Sequence, residues 1–224
     1  MAKYAGKKVG VVLSGCGVYD GSEIHEAVLT LLAIDRAGAT AICMAPNVAQ
    51  MHVVDHVKGQ PVSGETRNVL VEAARIARGE IRPMDQVKAE DLDALIFPGG
   101  YGAAKNLCTF AVDGINCKVN AEVERLIKEM YQAKKPMGFI CIAPVIAAKV
   151  LGDYHPKLTI GNDPDTANAI EKLGGKHVIR KVEEAECDKA HKIVSTPAYM
   201  LGPTIAHVAK GIEQCVEQVL HLIS

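Results

Sequence analysis

The sequence has little aromatic content and no excess of charge of either sign. It contains no tryptophan and 3 phenylalanines, and aromatic residues make up 4% of its 224 residues. The 25 lysines and arginines nearly balance the 26 aspartates and glutamates, which leaves a formal net charge of −1. Nucleic-acid-binding surfaces need a basic patch, often with aromatic residues on which bases stack. The composition therefore predicts no nucleic-acid partner.

Long hydrophobic runs and closely spaced cysteine pairs are also missing. No stretch reaches the roughly 18 uninterrupted apolar residues of a membrane span, and the apolar run 9–13 is too short for a signal-peptide core. The 7 cysteines are scattered without a C-x-x-C pair. This pattern argues against a disulfide framework and a structural zinc site. We therefore expect a cytoplasmic protein with no membrane partner and no metal.

Short apolar segments alternate with segments of helical periodicity along the whole chain. Strands are predicted at 8–14, 40–45, 93–98, 137–140, 158–161, 177–180 and 192–196, with a small hairpin or an excursion at 51–62. Helices are predicted at 24–38, 66–77, 119–134, 143–151, 166–173 and 203–223. This alternation predicts one α/β domain over residues 1–224, with a mostly parallel sheet covered by helices on both faces. Sites in such sheets form outside the C-terminal ends of the strands.

Cys141 lies between a predicted buried strand and a predicted helix, in the pattern G-x-x-C-x-A-P. At such an elbow the free N–H groups of the helix start stabilise a thiolate. The N–H of Ile142 can also donate to an oxyanion. The plainer alternative is a cysteine buried in a core strand. We take Cys141 as the candidate nucleophile.

A glycine-rich turn follows the predicted strand 93–98. Glycine lets backbone amides approach a ligand, because no Cβ stands in the way. The N–H of Gly100, together with that of Ile142, would form an oxyanion hole with two donors. The alternative is a tight turn that simply needs positive φ angles. The functional interpretation of this turn is favoured because the turn occurs together with the cysteine elbow.

The glycine-rich loop after the first predicted strand leads to two carboxylates. Its spacing is G-x-G-x-x-x-G, and the second strand ends without an acid, so we reject a dinucleotide site. Ser22 is the predicted N-cap of the next helix, with Glu23 and Glu26 in its first turn. The alternative to a functional role for Glu23 is that the helix dipole simply favours an acid at this position. Cys16, in the loop, is a weaker candidate as a second thiol.

Glu26 lies among the apolar positions of the predicted helix, where a carboxylate is costly unless it has a function. A charged Glu26 near Cys141 would oppose formation of the thiolate. Our hypothesis is that burial raises the pKa of Glu26, so that the protonated side chain donates a hydrogen bond to the thiolate.

A family resemblance rests on the cysteine elbow and on four stretches of the sequence, which are 11–26, 65–70, 98–107 and 196–201. They are similar to the class I glutamine amidotransferase-like superfamily, in its PfpI-type branch. The resemblance covers essentially the whole chain and implies a flavodoxin-like three-layer sandwich that forms a homodimer. It also implies that Cys141 is the nucleophile and that Glu26 is its partner.

The activity that this resemblance implies is that of a cofactor-independent glyoxalase, which converts the small dicarbonyl glyoxal to glycolate. A thiolate would attack one aldehyde to form a hemithioacetal, a base would move a proton between the two carbons, and water would release the hydroxy acid. The alternative is a non-catalytic or redox-sensing regulatory protein on the same scaffold, linked to isoprenoid metabolism.

Two departures from the family pattern argue against proteolysis and glutamine hydrolysis. PfpI-type proteases have a histidine directly after the nucleophile, where this chain has Ile142. Working glutaminases have a late His-x-Glu pair, which the stretch 195–199 lacks. Histidines after the elbow have no distinctive context; they are His155, His177 and His191. The general base is therefore left unassigned.

Overall fold

The computed structural model describes residues 3–223. The strands are β1 (Lys8–Val12), β2 (Thr40–Ala45), β3 (Val54–Asp55), β4 (Gln60–Pro61), β5 (Arg82–Pro83), β6 (Ala94–Phe97), β7 (Met137–Ile140), β8 (Lys157–Leu158), β9 (Lys176–His177), β10 (Glu186–Asp188) and β11 (Ile193–Thr196). The α-helices are α1 (Ile24–Arg36), α2 (Val69–Ile76), α3 (Tyr101–Lys105), α4 (Phe110–Asp113), α5 (Ala121–Gln132), α6 (Pro144–Leu151), α7 (Pro164–Lys172) and α8 (Ile205–His221). No helix within this described part of the chain is long and apolar enough to cross a membrane.

Within residues 3–223, seven strands form the main sheet in the order β10-β11-β7-β6-β1-β2-β5. Every neighbouring pair is parallel except the pair of β10 and β11 at one edge. Strands β6 and β7 are buried along their whole length. Strands covered on both faces are continuous apolar runs, which is why the sequence reveals them. The predicted mostly parallel sheet is confirmed.

Helices cover both faces of the sheet. Apolar side chains of α1, α2 and α8 pack against one face, together with residues of β1 such as Val9 and Val11. On the opposite face, α5, α6 and α7 pack around Phe97 and Phe139. The flavodoxin-like three-layer sandwich predicted from the sequence is therefore confirmed.

The start of α1 differs from the prediction by one residue. Glu23, not Ser22, is the N-cap, because its Oε2 accepts a hydrogen bond from the N–H of Glu26 at 2.7 Å. Ser22 is buried, and its Oγ accepts from the N–H of Ser14 at 2.8 Å. The serine therefore closes the loop after β1 instead of capping the helix.

The sequence also failed to predict several short elements. No helix was predicted at residues 101–105, but they form helix α3, which begins after Gly100 at a φ of 96°. The edge strands β5 and β10 carry polar residues in place of an apolar run. In β10, for example, Asp188 accepts a hydrogen bond from the N–H of Lys157 at 2.8 Å. The hairpin predicted at 51–62 is present as β3 and β4, which pair antiparallel.

The stacked phenylalanines at the centre of the sheet provide a test of the fold. Phe97 and Phe139 lie side by side on β6 and β7, with ring centroids 4.9 Å apart and no solvent exposure. We expect Phe139→Ala to lower the free energy of unfolding by about 3–5 kcal/mol, because it leaves a cavity in the core. Urea titration followed by circular dichroism would measure this change. The control, Val57→Ala, alters a side chain that is 97% exposed and should stay within about 0.5 kcal/mol of wild type; equal losses in both variants would contradict the packing described.

Candidate active site

Cys141 lies at a sharp turn between β7 and α6. Its backbone has a φ of 63°, in the left-handed region that non-glycine residues rarely adopt. Such a conformation costs about 1–3 kcal/mol and persists only where surrounding contacts enforce it. One such contact is the hydrogen bond from the N–H of Cys141 to the carbonyl of Thr196, at 2.9 Å. The thiol is thus held at the C-terminal edge of the sheet, with 8% of the residue exposed.

Two backbone amides point at the sulfur. The N–H groups of Gly100 and Ile142 both donate hydrogen bonds to Cys141, and each favours its ionised form. The structure therefore brings the two residues predicted for the oxyanion hole to the candidate nucleophile. In this arrangement they stabilise charge on the sulfur, and their action on a substrate oxygen stays a prediction.

The turn after β6 requires glycine because there is no space for a side chain. A Cβ on Gly100 would lie 2.3 Å from the backbone nitrogen of Glu23 and 2.4 Å from the carbonyl oxygen of Gly21. A Cβ on Gly99 would lie 2.4 Å from the Cβ of Cys141 and 2.5 Å from Oε2 of Glu26. The bare backbone of Gly99 therefore packs closely against both the thiol and the carboxylate.

Glu26 is completely buried and faces the thiol. Its Oε2 accepts a hydrogen bond from the N–H of Gly99 at 2.9 Å, and its Oε1 accepts from the N–H of Tyr199 at 3.2 Å. Its carboxyl group is also hydrogen-bonded to the side chain of Cys141. The four predicted site residues, Glu26, Gly100, Cys141 and Ile142, thus meet in one place.

Burial controls the protonation of both acidic groups. It raises the pKa of Glu26 to about 8, although the amides of Tyr199 and Gly99 favour the carboxylate. Burial, and next the charge of Glu26, raise the pKa of Cys141 well above its usual range. The raised pKa of Glu26 agrees with the hypothesis drawn from the sequence. The raised pKa of Cys141 does not agree with a resting thiolate, so the resting site holds a thiol.

The stretch 195–199 reaches the site through its backbone. Besides the carbonyl of Thr196, it contributes the N–H of Tyr199, which donates to Glu26. The hydroxyl of Tyr199 is hydrogen-bonded to Nδ1 of His25 at 2.8 Å, and Oε1 of Glu23 lies 4.0 Å from the same nitrogen. Sequence reasoning missed Gly99, Tyr199 and His25, because two of them act through backbone groups that leave no side-chain pattern.

The other candidate residues have partners elsewhere. Nδ1 of His155 is hydrogen-bonded to the carbonyl of Gly174 at 2.9 Å, Nε2 of His177 accepts from the N–H of Ile160 at 3.4 Å, and Nδ1 of His191 contacts Asp188 at 2.8 Å. Cys16 is half-buried beside Arg75 and Glu72. No group of three metal-ligating side chains occurs among residues 3–223.

Solved structures of DJ-1 and ThiJ/PfpI proteins share the flavodoxin-like fold of this chain. The structure of a Schizosaccharomyces pombe DJ-1 variant superposes with a TM-score of 0.58 at 18% identity, covering 97% of this chain and 92% of the other, and so supports the fold. No family model matches the chain.

Two more similar proteins identify the family of the chain. The human glutamine amidotransferase-like class 1 domain-containing protein 3, mitochondrial, is 53% identical over 224 residues, covering 96% of this chain and 83% of that protein. An isoprenoid biosynthesis protein with amidotransferase-like domain from Ehrlichia chaffeensis is 39% identical, with a TM-score of 0.90, covering 97% of this chain and 100% of the other. The chain therefore belongs to the class I glutamine amidotransferase-like family.

The cytoplasmic location predicted from the sequence is wrong. Curated relatives from human, rat and zebrafish are all named mitochondrial proteins. Compartments are specified by address segments that receptors read, and not by the composition of a folded domain. Balanced charge and reduced cysteines therefore did not identify the compartment.

The raised pKa of Glu26 predicts how stability depends on pH. Between its ordinary value of 4.5 and about 8, folded Glu26 keeps a proton that the unfolded chain has released. The stability from this group is fully present below 4.5 and is lost as the pH rises through 8. We expect Glu26→Gln to remove this fall, which urea titrations at several pH values would measure.

The control for that experiment is Glu65→Gln, which changes an exposed glutamate. It should keep the pH dependence of wild type. The comparison uses the slope of stability against pH and not its absolute value, because the amide in Glu26→Gln would leave one backbone N–H without its acceptor. A wild-type slope in Glu26→Gln would show that Glu26 is already ionised at neutral pH.

Proposed function

We propose that this protein is a cofactor-independent glyoxalase, which converts glyoxal to glycolate through a hemithioacetal on Cys141. The observation that carries the proposal is the buried pair of Cys141 and Glu26, with two backbone amides directed at the sulfur. The fold that the chain shares with the DJ-1/PfpI superfamily, which includes glyoxalases, supports it. The small exposed fraction of Cys141 also favours a small substrate.

The first step is attack of the sulfur on one aldehyde carbon of glyoxal. The C–S bond forms while the thiol proton passes to the carboxylate of Glu26, which is hydrogen-bonded to the thiol. The carbonyl electrons move to the aldehyde oxygen, which develops negative charge. The N–H groups of Gly100 and Ile142 lie at the sulfur and are the donors nearest to this charge. A group with a pKa near the working pH is suited to such a transfer.

Glu26 next passes the thiol proton to the negatively charged oxygen, which completes the hemithioacetal and restores the carboxylate. The carboxylate then takes the hydrogen from the carbon bonded to sulfur and returns it to the neighbouring carbon, while the hydroxyl proton moves from the first oxygen to the second, which leaves a thioester of glycolate. Water then hydrolyses the thioester and restores the thiol. One carbon is oxidised as its neighbour is reduced, so the reaction balances as glyoxal plus water giving glycolic acid, without an external oxidant or reductant.

The finer relationship and the assembly are part of the proposal. The stretches 11–26 and 98–107 resemble ElbB, a bacterial isoprenoid biosynthesis protein with an amidotransferase-like domain. We propose that the chain is an ElbB-type member that acts as a homodimer. A regulatory or redox-sensing role of Cys141 is the alternative, since the same buried thiol would also serve that role.

The substitution test separates these functions by measuring glycolate formed from glyoxal. We expect Cys141→Ser to abolish turnover and Glu26→Gln to lower it by about 10²–10⁴-fold, because the proton acceptor is lost. Cys187→Ser, which changes a half-buried thiol on the edge strand β10, should match wild type. Full turnover in Cys141→Ser, or none in wild type, would exclude the enzyme, and peroxide reactivity of Cys141 would then test the redox alternative.

The pH profile tests the role of Glu26 directly. In wild type, kcat/KM for glyoxal should rise with pH through about 8, as Glu26 ionises and accepts the thiol proton. Below that pH the protonated carboxyl cannot act as a base, so activity falls. The residual activity of Glu26→Gln should lack this inflection. A wild-type profile that is flat across this region would show that another group is the base.

A further inference from the structure

The loop between α3 and α5 is closed at its ends by backbone hydrogen bonds. It contains α4 and a 3₁₀ turn at Gly114–Asn116. The N–H of Thr109 donates to the carbonyl of Lys118, and the N–H of Asn120 donates to the carbonyl of Leu107, both at 2.9 Å. The chain therefore returns to within hydrogen-bonding distance of its own start.

This closure brings two cysteines together. Cys108 pairs with Val119 in an antiparallel bridge, and Cys117, two residues before Val119, is a diagonal neighbour of Cys108 on the same face. The two thiols are near enough to shift each other's pKa, and only 3% and 2% of the two residues are exposed. Because the loop is already closed, a bond between the two sulfurs would need little further ordering of the chain.

The two thiols have different surroundings. Cys117 borders a cavity of about 380 Å³, which Lys118, Glu124 and Lys149 also line. The thiol of Cys108, and to a smaller extent the charge of Lys149, lower the pKa of Cys117 in spite of its burial. The thiol of Cys108 donates a hydrogen bond to the carbonyl of Ala103 at 3.4 Å, which favours its protonated form. Cys117, which borders the cavity together with Lys149, is therefore the nucleophile of the pair.

We propose that Cys108 and Cys117 form a redox-active dithiol, which a hydroperoxide entering the cavity at Cys117 oxidises to an intramolecular disulfide. The proposal concerns thiols other than Cys141 and does not depend on the glyoxalase activity. It adds to the protein a second site of cysteine chemistry, on the loop that joins α3 to α5.

The oxidation has two steps. The thiolate of Cys117 attacks one peroxide oxygen, so that an S–O bond forms, the O–O bond breaks and hydroxide leaves, giving a sulfenic acid. The sulfur of Cys108 then attacks the sulfur of Cys117; the S–S bond forms, the S–O bond breaks, and the thiol proton leaves with the hydroxyl as water. Two thiols lose two electrons in total, and one hydroperoxide is reduced.

Peptide mapping of the unmodified protein tests the proposal without any substitution. Trypsin cleaves after Lys105 and Lys118, and the peptide 106–118 contains Cys108 and Cys117 with no other cysteine. Reduced protein is treated with hydrogen peroxide, alkylated in denaturant and digested. We expect this peptide to lose two hydrogens and escape alkylation, and to recover both alkylation sites after dithiothreitol. The peptide with Cys43, a buried thiol, should stay alkylated.

Substitutions assign the two roles. In Cys108→Ser the sulfenic acid of Cys117 should persist and react with dimedone, whereas in Cys117→Ser the thiol of Cys108 should stay reduced. Lys149→Gln, at an exposed position, should slow disulfide formation several-fold, because it removes a charge that favours the thiolate. Lys58→Gln, in the distant hairpin, should not. A peptide 106–118 that stays doubly alkylated, or one oxidised to sulfinic acid without the disulfide, would overturn the proposal.

Discussion

The candidate site depends on one interaction, the burial of the Glu26 carboxyl group against the thiol of Cys141. A buried carboxyl is unfavourable unless its oxygens find donors, and here both donors come from the backbone of other elements. Gly99, at the end of β6, supplies one, and Tyr199, after β11, supplies the other. The carboxyl of α1 is thereby linked to the ends of two strands, and the thiol follows a third strand, β7.

This arrangement explains why the turn after β6 is made of glycine. The N–H of Gly99 donates to Glu26, and its carbonyl accepts from the N–H of Glu23 at 2.9 Å. Glu23 in turn caps the helix that carries Glu26. Side chains at Gly99 or Gly100 would separate these partners, because there is no room for a Cβ at either position. The positions of the start of α1, the turn after β6 and the elbow at Cys141 therefore depend on one another.

The layers of the fold and the two reactive side chains could be predicted from the sequence, and their supporting groups could not. Buried parallel strands produce apolar runs, so β2 and β7 are found at their observed bounds. Cys141 and Glu26 stand out because each is a reactive side chain in an unusual place. Gly99 and Tyr199 act through amides, which every residue except proline has, so their contribution appears only in three dimensions. Edge strands with polar residues, such as β10, are missed for lack of an apolar run.

The cysteines show that packing gives residues of the same type different chemical properties. Burial raises the pKa of Cys43 to about 11 and, together with the nearby Cys187, raises that of Cys215 to about 12, which leaves both as inert apolar groups. Cys141 is as deeply buried, but it faces the carboxyl group of Glu26, the partner that we propose takes its proton. Cys117 instead borders a cavity together with Lys149, whose charge favours the ionised form of Cys117. The groups around each sulfur therefore distinguish these cysteines, because burial is common to all four.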